Sequence, residues 1–407
     1  MRKPNLIVLG ASGGVANSFL HYLVHYRPLF NKLILLDKRK NVLSDPYICH
    51  KDLNYSFIHK ELKFPRDEEY YQKLLKKNKI NVVLDVTDAD SIPLIEATNR
   101  AGINYINTAM NDDKKNIVEL IYDVYPRRNK INKARHILCA GMNPGVVNMW
   151  VRYGIEKFGV PKEIIHFEYD TAKIAKKWKP MMTWSIKEFL VENVRDPSGV
   201  ALGRGEVKQL FPNALKYRVN MKSILQPILK LDKYPRGFVV LHEENLTIAQ
   251  KYNVPSKFIY AINLQTMENL IKIYQKRKKV TAKDLIKGDN TNVILDGSDN
   301  IGVILRYKDK DVYYFNTIPN NTVMGTSATY LQTVIGVFAA LFVLLYDNLS
   351  KGVYFPEDLF NTHFKSYVFE NMRVQEFVFK KQKTGLKILS YNPEIRVKNK
   401  NTEHTCL

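Results

Sequence analysis

The residues best suited to chemistry are a group of carboxylates, with a tryptophan and a histidine, between positions 168 and 299. They are Glu168, Asp170, Glu192, Asp299, Trp184 and His242. Carboxylates bind ammonium groups, and the face of a tryptophan attracts a cation. A histidine can take the proton that an amine must lose before it gives up a hydride. Together these residue types indicate a cationic substrate.

Each of these side chains also has an ordinary structural interpretation. Glu192 could lie on a solvated helix face, and Trp184 could belong to the core. His242 lies on what the sequence predicts to be an apolar strand, where a buried histidine with satisfied hydrogen bonds is common. The chemical interpretation therefore requires that elements distant in sequence bring these residues together.

The first 37 residues have the layout of a dinucleotide-binding site. An apolar strand over residues 5–9 opens into a glycine-rich turn, a helix follows over 15–26, and a second strand ends at Asp37. Glycines in such a turn let backbone amides approach a pyrophosphate at the helix N-terminus. The loop residues that we predict to bind the cofactor are Gly10, Ser12, Gly13 and Gly14.

Asp37 favours NAD over NADP, because an acid at this strand end would hydrogen-bond the ribose hydroxyls and repel a 2′-phosphate. Lys38 and Arg39 follow directly, which leaves NADP open as an alternative. NAD is the cofactor that we predict.

Strands and helices continue to alternate as far as Cys139. We predict helices over residues 67–77, 92–101 and 114–130, and strands over 82–86, 105–107 and 137–139. The alternation indicates an α/β fold with a Rossmann-type, doubly wound parallel sheet. Thr87, Asp88 and Thr108 follow two of these strands and should lie on the cofactor side, although Asp88 could instead cap the next helix.

A second strand-turn-helix motif runs from His136 to Trp150. Asn143 is suited to be the N-cap of its helix and Pro144 to be the first helical residue, while Gly145 permits a close approach. Open α/β sheets bind ligands at such turns, outside the carboxyl ends of their strands. We therefore place Asn143 and Pro144 beside the cofactor and the reacting groups.

The pattern changes after Gly159 to a mixture of strands and helices. We predict an NAD-binding Rossmann domain over residues 1–150, an α+β substrate domain over 151–325, a helical segment over 326–395 that packs back on the first domain, and a flexible tail over 396–407. Residues 196–205 are predicted to form a loop. The longest apolar run, residues 334–346, is too short to span a bilayer and indicates a buried helix.

The composition limits the partners and the compartment. The 407 residues carry a net charge of +22, but no long basic block stands out, so we do not expect a nucleic-acid partner. Cys49, Cys139 and Cys406 have neither metal-ligand nor disulfide spacing. We therefore expect a reducing, cytoplasmic location, no bound metal and no membrane attachment.

Seven short stretches resemble the bacterial-type homospermidine synthases, within the wider saccharopine dehydrogenase-like group. They are Asp88–Ser91, Tyr105–Thr108, Gly141–Gly145, Glu168–Thr171, Thr183–Glu192, Gly237–Glu243 and Asp299–Val303. Their order and spacing are similar to those of the family, with a small deletion before Trp184. The similarity covers most of the chain.

The resemblance implies a polyamine site and a reaction. Its lining residues would be Asp88, Asn143, Glu168, Trp184, Glu192, His242 and Asp299. NAD would stay bound while putrescine is oxidised to an imine, ammonia is lost as a second amine adds, and the new Schiff base is reduced. Spermidine is a further implied substrate, and a homodimer is the implied assembly.

One position departs from the family, which carries an acidic residue where this chain has Asn111. Asp112 could take over the ammonium contact, or the substrate could differ.

Two other functions stay open. The first is a reductive condensing dehydrogenase of the saccharopine or carboxynorspermidine type. Its substrates carry carboxylates, so an arginine would be expected in the site, and the candidates are Arg195, Arg204 and Arg236. The second is a non-catalytic dinucleotide-binding module that holds nucleic acid on its basic surface.

Overall fold

The computed structural model of the protein describes residues 3–174, 178–288, 294–383 and 385–397. All but the first two residues of the predicted tail, 396–407, lie outside the described residues.

The strands and helices are numbered here along the chain. The strands are β1 (Asn5–Leu9), β2 (Lys32–Asp37), β3 (Ser56–His59), β4 (Val82–Asp85), β5 (Asn104–Asn107), β6 (Arg135–Ile137), β7 (Glu163–Asp170), β8 (Lys173–Ile174), β9 (Met181–Met182), β10 (Ser198–Gly203), β11 (Glu206–Phe211), β12 (Arg218–Asn220), β13 (Arg236–Val240), β14 (Ser256–Ala261), β15 (Ile286–Lys287), β16 (Leu295–Asp296), β17 (Ser298–Arg306), β18 (Lys310–Pro319), β19 (Gly352–Tyr354), β20 (Gln375–Gln382) and β21 (Gly385–Asn392). The helices are α1 (Gly14–Tyr26), α2 (His50–Leu53), α3 (Glu68–Lys77), α4 (Ser91–Arg100), α5 (Ile117–Arg127), α6 (Val146–Phe158), α7 (Ile186–Leu190), α8 (Lys222–Leu225), α9 (Glu243–Tyr252), α10 (Leu264–Arg277), α11 (Ala328–Tyr346) and α12 (His363–Asn371).

The first sheet has seven strands in the order β19-β6-β5-β4-β1-β2-β3, and all of its described pairs are parallel. From β3 to β6 this is the strand order of a Rossmann dinucleotide-binding fold, so the predicted fold class is confirmed. Strands β1 and β4 are buried along their whole length. Such continuous burial suits parallel strands that helices cover on both faces. The carboxyl ends of β1, β2, β4 and β5 therefore share one edge.

Two details of this sheet differ from the sequence prediction. Strand β3 has exposed residues at both ends and lacks the apolar run by which we identified the other strands. The strand predicted over 137–139 ends at Ile137 instead. Cys139 has a φ of 60° and donates its backbone N–H to Asn107 Oδ1 at 2.8 Å, which takes its backbone out of a regular strand.

The second sheet mixes both strand directions, and β7 lies in it between parallel β14 and antiparallel β17. This confirms the predicted α+β architecture. The loop predicted over residues 196–205 is wrong, because β10 and the turn into β11 occupy these positions. The glycines that suggested a loop lie within β10 and at the hairpin turn.

The segment 326–395 contributes to both sheets. Helix α11 packs on α1, where the ring centroids of Phe19 and Phe338 are 4.9 Å apart. It is long and apolar enough to cross a membrane, but 78% of its apolar window is buried in the protein, so it is a core helix. Strand β19 joins the first sheet, whereas β20 and β21 join the second, so the segment is not purely helical as predicted. The domain boundaries themselves stay a prediction.

Candidate active site

A cleft of about 1270 Å³ opens between the carboxyl edge of the parallel sheet and the second sheet. Both halves of the molecule contribute to its wall. The sequence-predicted residues that line it are Gly10, Ser12, Gly13, Gly14, Asp37, Thr87, Asp88, Thr108, Asn143, Pro144, Glu168, Trp184, Glu192 and His242. The glycine-rich loop and the predicted amine-binding residues therefore face one common space.

The glycine-rich loop has the backbone that a dinucleotide needs. Gly10 has a φ of +82°, and a Cβ added there would lie 2.7 Å from the carbonyl oxygen of Val86. Gly13 is the N-cap of α1 and has no side chain to satisfy the first amides of the helix. These amides and the positive end of the helix are suited to a pyrophosphate, so the residues fit a bound dinucleotide.

Gly14 is small for a reason that the sequence did not reveal. A Cβ at this position would lie 2.2 Å from Cζ of Tyr330, which belongs to α11. Close packing of a C-terminal helix against the loop, rather than access for the phosphates, explains this glycine.

Asp37 is buried at the end of β2 and organises the loop. Its Oδ2 accepts the backbone N–H of Ser12 at 2.8 Å, and its Oδ1 accepts that of Arg39 at 2.7 Å. The Ser12 hydroxyl donates to the Arg39 carbonyl at 3.0 Å. Because each carboxylate oxygen has further lone pairs, Asp37 can still accept from a ribose hydroxyl and would repel a phosphate.

Asp85 is a polar residue at this edge that sequence reasoning missed. Its Oδ1 accepts the hydroxyl of Thr87 at 2.7 Å, and its Oδ2 accepts the hydroxyl of Tyr105 at 2.6 Å. Burial raises the pKa of Asp85, whereas these hydrogen bonds lower it. Its position as the last residue of an apolar strand was the available signal.

The turn before α6 differs from its prediction. The helix begins at Val146 with Gly145 as N-cap, and Asn148 Oδ1 accepts the Gly145 N–H at 2.9 Å. The assignments of Asn143 as N-cap and of Pro144 as first helical residue are therefore wrong. Gly145 is required sterically, since its φ is +140° and an added Cβ would lie 1.8 Å from the Gly141 carbonyl oxygen. The Asn143 side chain is free of capping and acts to lower the pKa of Glu168.

Strand pairing brings three carboxyls together at the inner end of the site, and of these Glu168 lines the cleft while Asp170 and Asp299 lie behind its wall. Asp299 on β17 lies directly opposite Asp170 on β7, and Glu168 precedes Asp170 by two residues on the same face. Their residues are only 5% (Glu168), 3% (Asp170) and 0% (Asp299) exposed. We call Glu168, Asp170 and Asp299 the inner triad.

The inner triad has incomplete hydrogen bonding. Asp170 accepts the Thr183 hydroxyl at 2.6 Å and the Ala172 N–H at 2.8 Å. Asp299 Oδ2 accepts the Thr329 hydroxyl at 2.7 Å. Oε1 of Glu168 and Oδ1 of Asp299 have no hydrogen-bond partner among the described residues.

Burial and mutual repulsion change the ionisation of the inner triad. Burial, followed by the repulsion from Asp299, Asp170 and Glu192, raises the pKa of Glu168 well above its ordinary value. The pKa of Asp299 is raised in the same way by burial and by Asp170. A cation placed among these groups would reverse the effect, because it stabilises the carboxylate form.

Trp184 lies on the cleft wall against two other rings. Its Nε1 donates to the Tyr260 hydroxyl at 2.8 Å, and its ring meets those of Phe189 and Tyr260 edge to face. The indole is half-buried and lines the cleft. This arrangement fixes the ring without covering all of it.

His242 occupies a different element from the predicted one. It is the N-cap of α9, after β13 has ended at Val240. Its Nδ1 lies 2.5 Å from Glu244 Oε2 and 3.2 Å from Glu243 Oε2, and its Nε2 lies 3.3 Å from Glu192 Oε1. Sequence reasoning missed Glu243 and Glu244 as part of the site, because acids in a first helical turn are common.

These carboxylates determine the charge of His242. Burial by itself lowers its pKa, but Glu244, Glu243 and Glu192 outweigh burial and raise the pKa well above the ordinary value. The ring is therefore an imidazolium that donates from both nitrogens. It can accept a substrate proton, as the sequence suggested, only after it has passed one on.

The same residues also have a spacing suited to a metal. The potential ligand atoms of His242, Glu243 and Glu244 lie within 4.8 Å of one another. The expectation of no bound metal thus stays a prediction.

The outer part of the site contains Asp88, Asn111 and Asp112. The Asp88 side chain is 47% exposed and pairs with Lys187 at 3.2 Å, away from the inner triad. Asn111 donates its Nδ2 to the Thr87 carbonyl at 3.2 Å. Asp112 Oδ1 accepts two backbone N–H groups of its own loop at 2.8 Å, which fixes the orientation of this carboxylate next to Asn111.

Comparisons with known proteins agree with the architecture. Residues 6–136 match the family model of the saccharopine dehydrogenase NADP binding domain. The homospermidine synthase of Mesorhizobium japonicum is 23% identical across 71% of this chain and 73% of its own length. The chain resembles the homospermidine synthases. The crystal structure of the enzyme from Legionella pneumophila in complex with NAD has a TM-score of 0.72 at 17% identity, covering 91% of this chain and 89% of that one.

These findings confirm the resemblance predicted from the seven stretches. They also agree with the cofactor prediction, since the Legionella enzyme holds NAD and the matched family model is a nicotinamide-dinucleotide domain. The Legionella structure contains NAD, whereas the family model is named for NADP, which carries an additional 2′-phosphate. The buried Asp37 at the end of β2 supports NAD for this chain.

Proposed function

We propose that the protein is an NAD-dependent enzyme that acts on amines through imines, and that it is homospermidine synthase-like. In the overall conversion, two putrescine molecules give one homospermidine and one ammonia, with no net oxidation. The observation that carries the proposal is the buried carboxyl of Glu168, which lines the same cleft as the dinucleotide loop and whose Oε1 has no hydrogen-bond partner among the described residues.

Burial of carboxylates without a partner is costly, so such groups normally have a cation beside them. Among the described residues, no lysine or arginine forms an ion pair with a member of the inner triad; the cationic side chains near the cleft pair with other acids. An ammonium group of a diamine would supply the missing charge and hydrogen bonds. The half-buried face of Trp184 would attract the same cation.

NAD, when bound, would supply an acceptor and later a donor of hydride. The chain itself would hold it through the loop at Gly10 and Gly13 and through Asp37. Glu192 would take the proton that the amine must lose, because its carboxylate lines the cleft and is joined to His242 at 3.3 Å. Glu192 would hold that proton while His242, as an imidazolium, gives one of its own to the departing ammonia and is then reprotonated by Glu192.

The reductive condensing alternative is less well supported by the arginines. Arg195 lines the cleft, but its guanidinium donates to Asp196 at 2.7 Å and to the carbonyls of Asp112 and Lys115, each at 3.1 Å. Arg204 and Arg236 do not line the cleft. Of the three candidate arginines, only Arg195 thus lines the cleft, and its guanidinium already has these three partners.

The decisive experiment uses the purified protein with NAD and putrescine and no added reductant. We expect homospermidine and ammonia in equal amounts, measured by mass spectrometry and an ammonia assay. NADH consumption only when an amine is combined with an oxo acid would instead identify a reductive condensing enzyme. If neither assay responds, the proposal fails, and a salt-dependent nucleic-acid binding test of the basic surface follows.

Trp184→Ala should lower kcat/KM for putrescine about 10-fold or more, because a desolvated cation–π contact is worth about 2 kcal/mol. NAD binding, measured by calorimetry, should be unchanged. Trp184→Phe retains an aromatic face but loses the hydrogen bond to Tyr260, and we expect an intermediate value. Loss of NAD binding in the alanine variant would show that Trp184 serves only to pack the cleft.

A further inference from the structure

Glu188 is a cleft residue to which neither the motifs nor the resemblance assigned a role. It lies on α7, whose N-cap Ser185 accepts the Glu188 N–H at 3.2 Å, and it faces the same cleft as Glu192. Its side chain is 25% exposed, and its one ion pair among the described residues is with Lys187 at 3.9 Å. The Glu188 carboxyl is thus partly buried and weakly partnered.

The other acids at the cleft mouth have firmer partners. Asp88 pairs with Lys187 at 3.2 Å and with Lys38 at 3.9 Å. Asp112 accepts backbone amides of its own loop. Asp113 pairs with Lys187 at 3.7 Å, but its side chain is 78% exposed. Of the acids that pair with Lys187, Glu188 is therefore the most buried and has the longest ion pair.

A line of carboxyls connects Glu188 with the inner triad. Glu192 is close enough to repel both Glu188 and Glu168 and raises the pKa of each. Glu168 Oε1 is buried without a hydrogen-bond partner at the inner end. An acidic group at each end of one cleft suits a linear molecule with a cation at each end.

We propose that Glu188 binds the outer ammonium group of the amine substrate, while Glu168 binds the inner one. The proposal rests on the proposed amine chemistry and names its substrate class, the α,ω-diamines and longer polyamines. A monoamine would occupy only the inner position.

The ionisation of Glu188 gives the proposal a pH signature. Burial raises its pKa to about 7; Lys187 and Arg195 act in the opposite direction, whereas Glu192 and Asp88 add to the increase. The carboxyl must be ionised to bind an ammonium group. Diamine affinity should therefore fall as the pH falls through about 7. Below that pH, the Glu188 carboxyl should release one proton for each diamine that binds.

The test is calorimetry of putrescine and butylamine binding to the NAD-loaded protein. Glu188→Gln should weaken putrescine binding about 10- to 100-fold, the usual range for one charge-assisted hydrogen bond, and leave butylamine binding unchanged. Below about pH 7, the variant should release about one proton fewer per putrescine bound than the wild type does. Glu69→Gln is the matched control, because Glu69 is an exposed helical glutamate paired with Lys73 outside the cleft.

A second variant separates a binding role from a packing role. Glu188→Asp retracts the carboxylate by one methylene, so the affinity ratio of cadaverine to putrescine should rise. A distorted helix would weaken both diamines and butylamine alike, which would overturn the proposal.

Unchanged putrescine binding in Glu188→Gln, in a protein that still forms homospermidine, would refute the role of Glu188 and leave the proposed function intact. If the wild-type protein neither binds nor converts putrescine, both proposals fall together.

Discussion

Glu168→Gln should abolish most amine turnover and at the same time stabilise the protein. Loss of one partner of a buried ion pair costs about 3–5 kcal/mol, so kcat/KM for putrescine should fall by about 10²–10³-fold. In the absence of substrate, however, the neutral amide removes repulsion from Asp299 and Asp170. We expect a gain of about 1–3 kcal/mol in the free energy of unfolding at neutral pH.

The sign of the pH dependence follows from the raised pKa of Glu168. A group with a raised pKa in the folded state stabilises that state fully below its ordinary value, and this contribution is lost as the pH rises through the folded value. The variant titrates no proton at this position. Its advantage over the wild type should therefore be larger at pH 8 than at pH 5, as measured by denaturant unfolding at both values.

Glu163→Gln is the matched control on the same strand. Glu163 pairs with Lys257 at 2.6 Å and with Arg306 at 3.1 Å, away from the cleft. The Glu163→Gln substitution should lower the free energy of unfolding by up to about 1 kcal/mol and leave turnover unchanged. If Glu168→Gln were destabilised to the same extent as this control, Glu168 would be a structural residue rather than an unsatisfied binding group.

The first strand, the first helix and the parallel sheet could be predicted from the sequence, because local patterns determine them. The strand over Asn5–Leu9 is as predicted. The helix predicted over 15–26 begins one residue earlier in the structure, at Gly14. Apolar runs, a glycine-rich turn and a terminal acid depend on neighbours within about 40 residues. The same is true of the alternation that gave the parallel sheet.

The inner triad shows where such reasoning ends. Glu168, Asp170 and Asp299 were singled out by residue type, but the proximity of Asp299 to the other two depends on β7 pairing with β17, which lies more than 120 residues away. Glu168 and Asp170 share a face because they lie two residues apart on one strand, whereas Asp299 joins them only through that register. A shift of β17 by one residue would turn Asp299 to the other face of the sheet.

Other differences arise where tertiary contacts override local preference. Asn143 has the chemistry of an N-cap, but the close approach of Gly145 to Gly141 starts the helix later and releases the asparagine side chain. His242 follows an apolar strand closely enough to be read as part of it. The helix α9 begins there instead, and this places Glu244 within reach of the imidazole.

Glu244→Gln should decide whether His242 acts as an acid or as a base. Glu244 is fully buried and lies 2.5 Å from His242 Nδ1, so its charge is a main reason that the imidazole stays protonated. Removal of that charge lowers the pKa of His242. If the imidazolium returns a proton to the departing ammonia, kcat/KM at pH 8 should fall about 10- to 100-fold, because the substitution removes only part of a general-acid contribution of about 10²–10⁴-fold.

The pH profile distinguishes this role from simple support of the fold. The titratable groups around His242 are Glu192, Glu243, Glu244 and His166, and of these the Gln substitution changes only Glu244. The basic limb of kcat/KM should therefore move to lower pH, while activity near pH 6 stays close to the wild-type value. Glu243→Gln should move the limb less, because Glu243 lies farther from Nδ1, at 3.2 Å, and its other oxygen is held by the Met110 N–H at 2.8 Å. Faster turnover of Glu244→Gln at neutral pH would mean that the neutral imidazole is the working form and that His242 is the base.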